Sequence, residues 1–203
     1  MEGWKIGILE GRALYQSSTF PFFLLPIFET MTEITWSCKS FQDLTAEELY
    51  DIFHLRLAVF VVEQNCPYQD ADGKDLKSLH VMGYTPSPTE LRSQLSPLAQ
   101  LSQRGRELTA YARIVLPGVS YKEISIGRVV TSAKVRKTGA GKMLMKKTME
   151  LIEKEFGKVP IRIGAQLYLL KFYEGFGFVR EGTEYLEDGI PHIIMLSSPD
   201  TKT

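Results

Sequence analysis

The chain has 203 residues, 24% of them charged and 44% hydrophobic, and its formal net charge is zero. That length and composition predict one ordinary globular domain with a sizeable core. The balanced charge excludes a nucleic-acid protein that relies on bulk positive charge. The two cysteines, Cys38 and Cys66, are too few for a disulfide framework or a zinc site, so the expected setting is reducing and cytoplasmic.

Residues 1–31 read as an N-terminal extension, expected to be disordered or dispensable. Its apolar run, Phe20 to Phe28, is shorter than the roughly 20 residues of a membrane span, and Pro21 and Pro26 would break a helix there. Lys5 and Arg12 precede the run as in a signal peptide, but no small-residue cleavage site follows it. The domain proper is expected over 32–197, with a tail at 198–203.

Glu33 to Lys39 alternates and predicts a first strand. Thr45-Ala46-Glu47-Glu48 is a capping box, and the helix it opens carries Leu49, Ile52, Phe53 and Phe60 on one face. Arg56 lies on that stripe. Turned inward, its guanidinium needs a carboxylate or carbonyl partner; otherwise it snorkels to the surface. The polar stretch Glu63 to Asp75 is read as a loop that shapes a pocket. As an EF-hand centred on Gly73 it would need an acid at Tyr68 and a Glu at Leu79. A nucleophilic Cys66 would want a base and a helix N-terminus that the neighbouring sequence does not supply.

Ser78 to Tyr84 predicts a second strand and Leu108 to Leu116 a third. Between them, 85–106 holds three prolines and many Ser and Gln residues and is expected to be a mobile insertion, with Leu91, Leu95 and Leu98 able to support a short helix. Pro117-Gly118 is a turn, and Glu123 to Thr131 a fourth strand. Arg136-Lys137-Thr138-Gly139-Ala140-Gly141-Lys142 then opens a helix. Glycines admit a ligand close to the backbone, and first-turn amides and the helix dipole attract an anion, so the loop reads as a cradle for a diphosphate. A P-loop would need Ser or Thr at Met143, and a dinucleotide fingerprint would need Gly at Leu144; both fail.

The helix from Gly139 to about Phe156 has an apolar side of Ala140, Leu144, Met145, Met149, Leu151, Ile152 and Phe156, and Gly157 stops it. Pro160 to Gln166 is a fifth strand, Leu167 to Glu174 a short helix, and a sixth strand starts at Phe176-Gly177-Phe178-Val179. Glu187-Asp188-Gly189 is a hairpin turn before a closing strand, Pro191 to Leu196. The order is strand, helix, three strands, helix, strand, helix, two strands: an α/β layer on one sheet.

This order, the R-x-x-G-x-G loop and Gln166 followed by Phe172-Tyr173-Glu174-Gly175-Phe176-Gly177-Phe178 resemble the GNAT acyltransferases. The run from Leu55 to Asp70 resembles the ElaA branch of that superfamily. So do Ala110-Tyr111-Ala112-Arg113-Ile114, Ile126-Gly127-Arg128-Val129, Gly164-Ala165-Gln166 and Glu187-Asp188-Gly189-Ile190-Pro191-His192-Ile193. The resemblance covers about Thr32 to Leu196; the extension and the 85–106 insertion depart from it.

The resemblance implies the acyl-CoA N-acyltransferase fold: a mixed central sheet of six to seven strands with helices on both faces. It implies acetyl-CoA as acyl donor, lying between splayed fourth and fifth strands, with no metal. Val129, Val130 and Thr131 would pair with the pantetheine arm by their backbone. Arg136, Lys137, Thr138, Gly139, Ala140, Gly141 and Lys142 would hold the pyrophosphate, and Gln166 would touch the arm. Tyr173 matches the proton donor to the thiolate, a phenol near pKa 10; read from periodicity alone it is a core tyrosine, since Leu169, Phe172 and Phe176 share its face. Glu63, Asp70, Asp72 and His80 lie on the acceptor side as bases or cation holders. Arg56 and Arg113 would hold a carboxylate or pair with Glu63, and His192 is a strand residue. The implied reaction is direct acetyl transfer to a small-molecule or peptide amine, with neither nucleic acid nor membrane as partner and a homodimer allowed. The alternatives are an acyl-CoA sensor and an acyl-homoserine-lactone-synthase-like enzyme.

Overall fold

The computed structural model describes residues 33–86 and 105–199; the expected N-terminal extension, residues 87–104 of the expected insertion and the last four residues lie outside them. Seven strands form one sheet: β1 (Thr35–Ser40), β2 (Ser78–Pro86), β3 (Arg106–Val115), β4 (Ile124–Thr131), β5 (Ile161–Gln166), β6 (Val179–Glu187) and β7 (Ile190–Ser197), ordered β1-β2-β3-β4-β5-β7-β6. Among the described residues the α-helices are α1 (Ala46–Arg56), α2 (Ala140–Phe156) and α3 (Leu170–Glu174). Neighbouring strands are antiparallel except β4 and β5, which run parallel.

Alternation along the central strands makes two cores. Val81, Ala110, Ala112 and Ile114 pack with Leu144, Met145 and Ile152 of α2. Met82, Tyr84 and Tyr111 point to the other face, against Ile52 and Leu55 of α1 and Val59 just beyond it. Each large side chain so buried contributes on the order of 1.5–3 kcal/mol.

α1 begins as its capping box dictates: the Thr45 hydroxyl accepts from the Glu48 amide at 3.2 Å, and the Thr45 amide donates to the Glu48 carboxylate at 3.0 Å. The regular helix does not reach Phe60. After Arg56 the chain widens into a π-helical stretch, Leu57–Glu63, with the Gln64 amide donating to the Val59 carbonyl at 3.0 Å. Val59, Val61 and Val62 are β-branched and crowd a regular turn.

Three other expected boundaries move. Thr85 pairs with Glu107 and Pro86 with Arg106, so both edges of the expected insertion belong to the sheet. Gly139 caps α2 at a left-handed φ of 91°, and the helix starts at Ala140. Phe176 to Phe178 is a turn, its Phe176 and Phe178 amides donating to the Tyr173 carbonyl, so β6 starts only at Val179. Within α2, Thr148 is buried and donates its hydroxyl to the Leu144 carbonyl at 2.8 Å; Phe156, expected inward, ends the helix partly exposed. Among the described residues no helix is long and apolar enough to cross a membrane.

Candidate functional site

β4 and β5 are joined at only two places, Ile124 with Ile161 and Ser125 with Arg162. Beyond these they part. The outer edge of β4 stays paired with β3 as far as Thr131, and that of β5 with β7 as far as Gln166. The two inner edges therefore face each other without a strand partner, and buried amides and carbonyls require one. A β-bulge helps to open the gap: Tyr111 pairs with Val130 and Arg113 with Gly127, leaving Arg128 and Val129 opposite Ala112. Arg128 takes up the extra residue with a left-handed φ of 52°. A cavity of about 690 Å³ fills the gap, with Gly127 to Thr131 on one side and Ile163, Gly164 and Gln166 on the other.

The glycine loop stands at the open end. Lys137 and Gly139 are both left-handed, at φ 66° and 91°, and the Thr138 hydroxyl donates to the Val135 carbonyl at 2.7 Å. The first helical bond of α2 runs from the Met143 amide to the Gly139 carbonyl. The amides of Ala140, Gly141 and Lys142 precede that bond, as an anion site needs. Arg136 and Gly141 line the cavity; Lys137, Thr138, Gly139 and Lys142 form an exposed rim, and Ala140 is buried beneath.

Arg136 is already engaged. It donates through Nε and Nη2 to the Thr131 carbonyl, both at 3.2 Å. It also makes a two-pronged contact with the Glu63 carboxylate, Nη2 at 2.8 Å, which holds that carboxyl below its usual range. The charge left over for an anion is that of Lys137 and Lys142 together with the amides.

Behind the gap lies a neutral cluster of three arginines and three aspartates. Arg56 is fully buried, with Nη1 2.7 Å from Asp75 Oδ1, Nη2 2.9 Å from the Asp70 carbonyl and Nε 2.8 Å from Asp70 Oδ2. Arg113 reaches Asp72 with two 2.8 Å bonds and Asp75 with a third. Arg128 donates from Nε to Asp70 Oδ1 at 2.8 Å and lies over the Tyr68 ring. Burial works against the Asp72 anion, but the Arg113 bonds and charge outweigh it and bring its pKa to about 2. Burial likewise works against the Arg56 cation, and its bond to Asp75 and the surrounding anions outweigh that, so it stays charged.

The expected acceptor residues are thus redistributed. Arg56, Asp70 and His80 do not reach the cavity wall; Glu63, Asp72 and Arg113 do, each ion-paired. Neither Arg56 nor Arg113 pairs with Glu63, because Arg136 has taken it. His80 is held by Tyr111 Oη at 2.8 Å on Nδ1 and the Asp75 carbonyl at 3.1 Å on Nε2, and burial keeps it below its ordinary pKa.

Tyr173 lies on α3 and lines the gap while buried, edge-on to Phe172 and Phe178. Burial pushes its phenol up to about 12. It is a weaker acid than the expected value of 10, and it keeps its proton across the neutral range. Gln166 also lines the gap and meets Gln64 at 3.5 Å. His192 lines it as well, with Nδ1 2.8 Å from the Ile190 carbonyl. Four residues of this region receive no individual role from the sequence: Arg128, Asp75, Tyr121 and Glu187. For Arg128 a signal exists, a single charge inside an otherwise apolar strand.

Residues 101–198 match the acetyltransferase (GNAT) domain family. Over 164 residues the chain is 39% identical to protein ElaA of Escherichia coli, a match covering 80% of this chain and 95% of ElaA. Among solved structures, an acyl-CoA N-acyltransferase from Pseudomonas aeruginosa matches with a TM-score of 0.69 and 37% identity, over 82% of this chain and all of that one. The structure of E. coli ElaA matches with a TM-score of 0.68 and 38% identity over the same shares.

Proposed function

Since the chain belongs to the ElaA branch of the GNAT acetyltransferase family, we propose that it transfers the acetyl group of acetyl-CoA directly to an amine, with both substrates held in the cavity. The observation that carries this reading is the parted β4–β5 pair with a helix N-terminus at its open end. A pantetheine arm is a chain of amides and would pair with the free edge at Val129, Val130 and Thr131 as an added strand. The amides of the loop from Lys137 to Lys142 would take the pyrophosphate, and Gln166 would contact the arm from β5.

In the reaction the amine nitrogen bonds to the acetyl carbon, the carbon–sulfur bond breaks, and the sulfur leaves with the electron pair. A backbone amide at the bulge would hold the developing oxyanion, an effect typically worth about 3 kcal/mol. Tyr173 would meet the departing sulfur. A phenol at about 12 gives up its proton to a thiolate only uphill, so it acts first by hydrogen bonding as charge builds on sulfur. No carboxylate of the Arg–Asp cluster is free to take the amine proton, which leaves a water-mediated route.

The test is release of free CoA thiol from acetyl-CoA across a panel of small amines, polyamines, amino acids and peptides, with wild type beside Tyr173→Phe. Turnover on one acceptor class, with kcat lowered roughly 100-fold in the variant and donor affinity retained, is the expected result. Equal turnover by the variant would remove Tyr173 from the chemistry. Donor binding without transfer to any acceptor would favour an acyl-CoA sensor.

A further inference from the structure

On β5, Ile161, Ile163 and Ala165 enter the core on the α2 side, so Gly164 faces the opposite side, where α1 packs. A Cβ there would stand 2.8 Å from the Tyr185 hydroxyl and 3.8 Å from that of Tyr121. Two phenols, one on β6 and one in the loop before β4, therefore converge on one glycine. Across the gap, Gly127 stands two residues past the last β4–β5 pair, as Gly164 does, and a Cβ added to it would meet nothing within 4 Å. The gap thus opens onto the α1 side between two glycines, with Tyr121 on its wall and Tyr185 beside Gly164.

Charges on the cavity wall are unevenly matched. Glu63 is paired with Arg136, and Asp72 with Arg113 and Arg128. Glu187 and Asp188 line the same cavity, and neither forms an ion pair with a described residue; the partner of Glu187 is the Tyr185 hydroxyl, donating at 3.2 Å. Among the wall's cations, the three arginines are paired, and Lys74 on the facing loop forms no ion pair with a described residue. A cavity carboxylate whose partner is a phenol is complementary to a cation.

Protonation decides which cation. The sheet order β5-β7-β6 places the Glu187 strand two spacings, on the order of 10 Å, from β5. The Glu187 side chain reaches back through Tyr185 to the Gly164 edge of the gap, and an amine held there as an ammonium has no lone pair with which to attack the acyl carbonyl, so the nitrogen it holds is not the nitrogen that reacts. We infer that Glu187, with Tyr185 and Tyr121 beside it, anchors a second positive charge on the acceptor, whose chemical class is a small diamine or polyamine. The inference rests on the amine-acceptor reading above and narrows it.

The experiment is calorimetric titration of the full-length protein, saturated with CoA, with 1,4-diaminobutane, n-butylamine and 4-aminobutanoate, in wild type and Glu187→Gln. Wild type is expected to bind the diamine roughly tenfold tighter than the monoamine, and Glu187→Gln to bring the two within about twofold. Tyr185→Phe, which keeps the carboxylate, retains part of the preference. Equal binding of the two amines by wild type overturns the inference, as does a preference that survives Glu187→Gln. Tighter binding of the amino acid also overturns it, assigning the acceptor a carboxylate at Lys74. Diamine preference without acetyl transfer would uphold this subsite and refute the transfer reading; transfer to n-butylamine with no diamine preference would do the reverse.

Discussion

Arg128 joins the two halves of the site. It sits in a strand with a left-handed φ of 52°, a conformation that costs a residue bearing a Cβ about 1–2 kcal/mol. Its side chain offsets that cost by binding Asp70, itself buried against Arg56. The clamp holds the bulge that turns the Val129 region toward the gap. Arg128→Ala loses the clamp and keeps the strain; Arg128→Gly loses both. Urea unfolding should show the alanine variant destabilised by about 2 kcal/mol and the glycine variant by about 1 kcal/mol less than that. Both should slow transfer and weaken CoA binding, because the bulge carries the edge at Val129 that would pair with the arm. Equal stability of the two variants would show that the backbone there carries no strain. The sequence offered Tyr173 and Gln166 by their motif, but it could not announce this clamp, because Arg128 and Asp70 stand 58 positions apart in the chain.

At the scale of elements, the glycine loop was legible in the residues, whereas the gap it serves was legible only through the family resemblance. A strand, a glycine pair and an amphipathic helix each have a local signature. The parting of β4 from β5 has none, since it depends on which edges β3 and β7 occupy. The ends of β2 and β3 were missed for a related reason: Pro86 reads as a breaker, yet it pairs with Arg106 at the end of a strand. Gly139 gives the loop its sharpest test. A Cβ there meets nothing within 4 Å, but the φ of 91° disfavours any L side chain. Gly139→Ala therefore measures strain alone, whereas Gly139→Asp adds a negative charge at the positive end of α2. Titration with CoA should show affinity at least roughly tenfold weaker for the aspartate than for the alanine variant. Equal affinities would mean that the pyrophosphate lies elsewhere.

For the whole molecule, the buried arginine–aspartate cluster ties α1, the loop 64–73, β3 and β4 into one unit, and pH reads its contribution. Asp72 lies at about 2 in the folded chain against an ordinary 3.8, and the bonds of Asp75 to Arg56 and Arg113 overcome its burial and lower it as well. Below pH 3.8 the unfolded chain takes up protons that the folded chain refuses. Stability from these groups is complete above that pH and drains away as pH falls toward 2. His80 acts earlier and in the same direction. Burial holds it below 6.5, so from pH 6.5 downward the unfolded chain binds a proton that the folded imidazole, fixed between Tyr111 and the Asp75 carbonyl, does not. Urea midpoints should therefore decline gently below pH 6.5 and more steeply below pH 4. Asp72→Asn should flatten the second limb by about 1 kcal/mol, allowing for solvent screening of a partly exposed carboxylate. A midpoint constant from pH 7 to 5 would show that His80 takes up its proton without unfolding. An unaltered acid limb in Asp72→Asn would place the acid sensitivity at Asp75 and the remaining carboxylates.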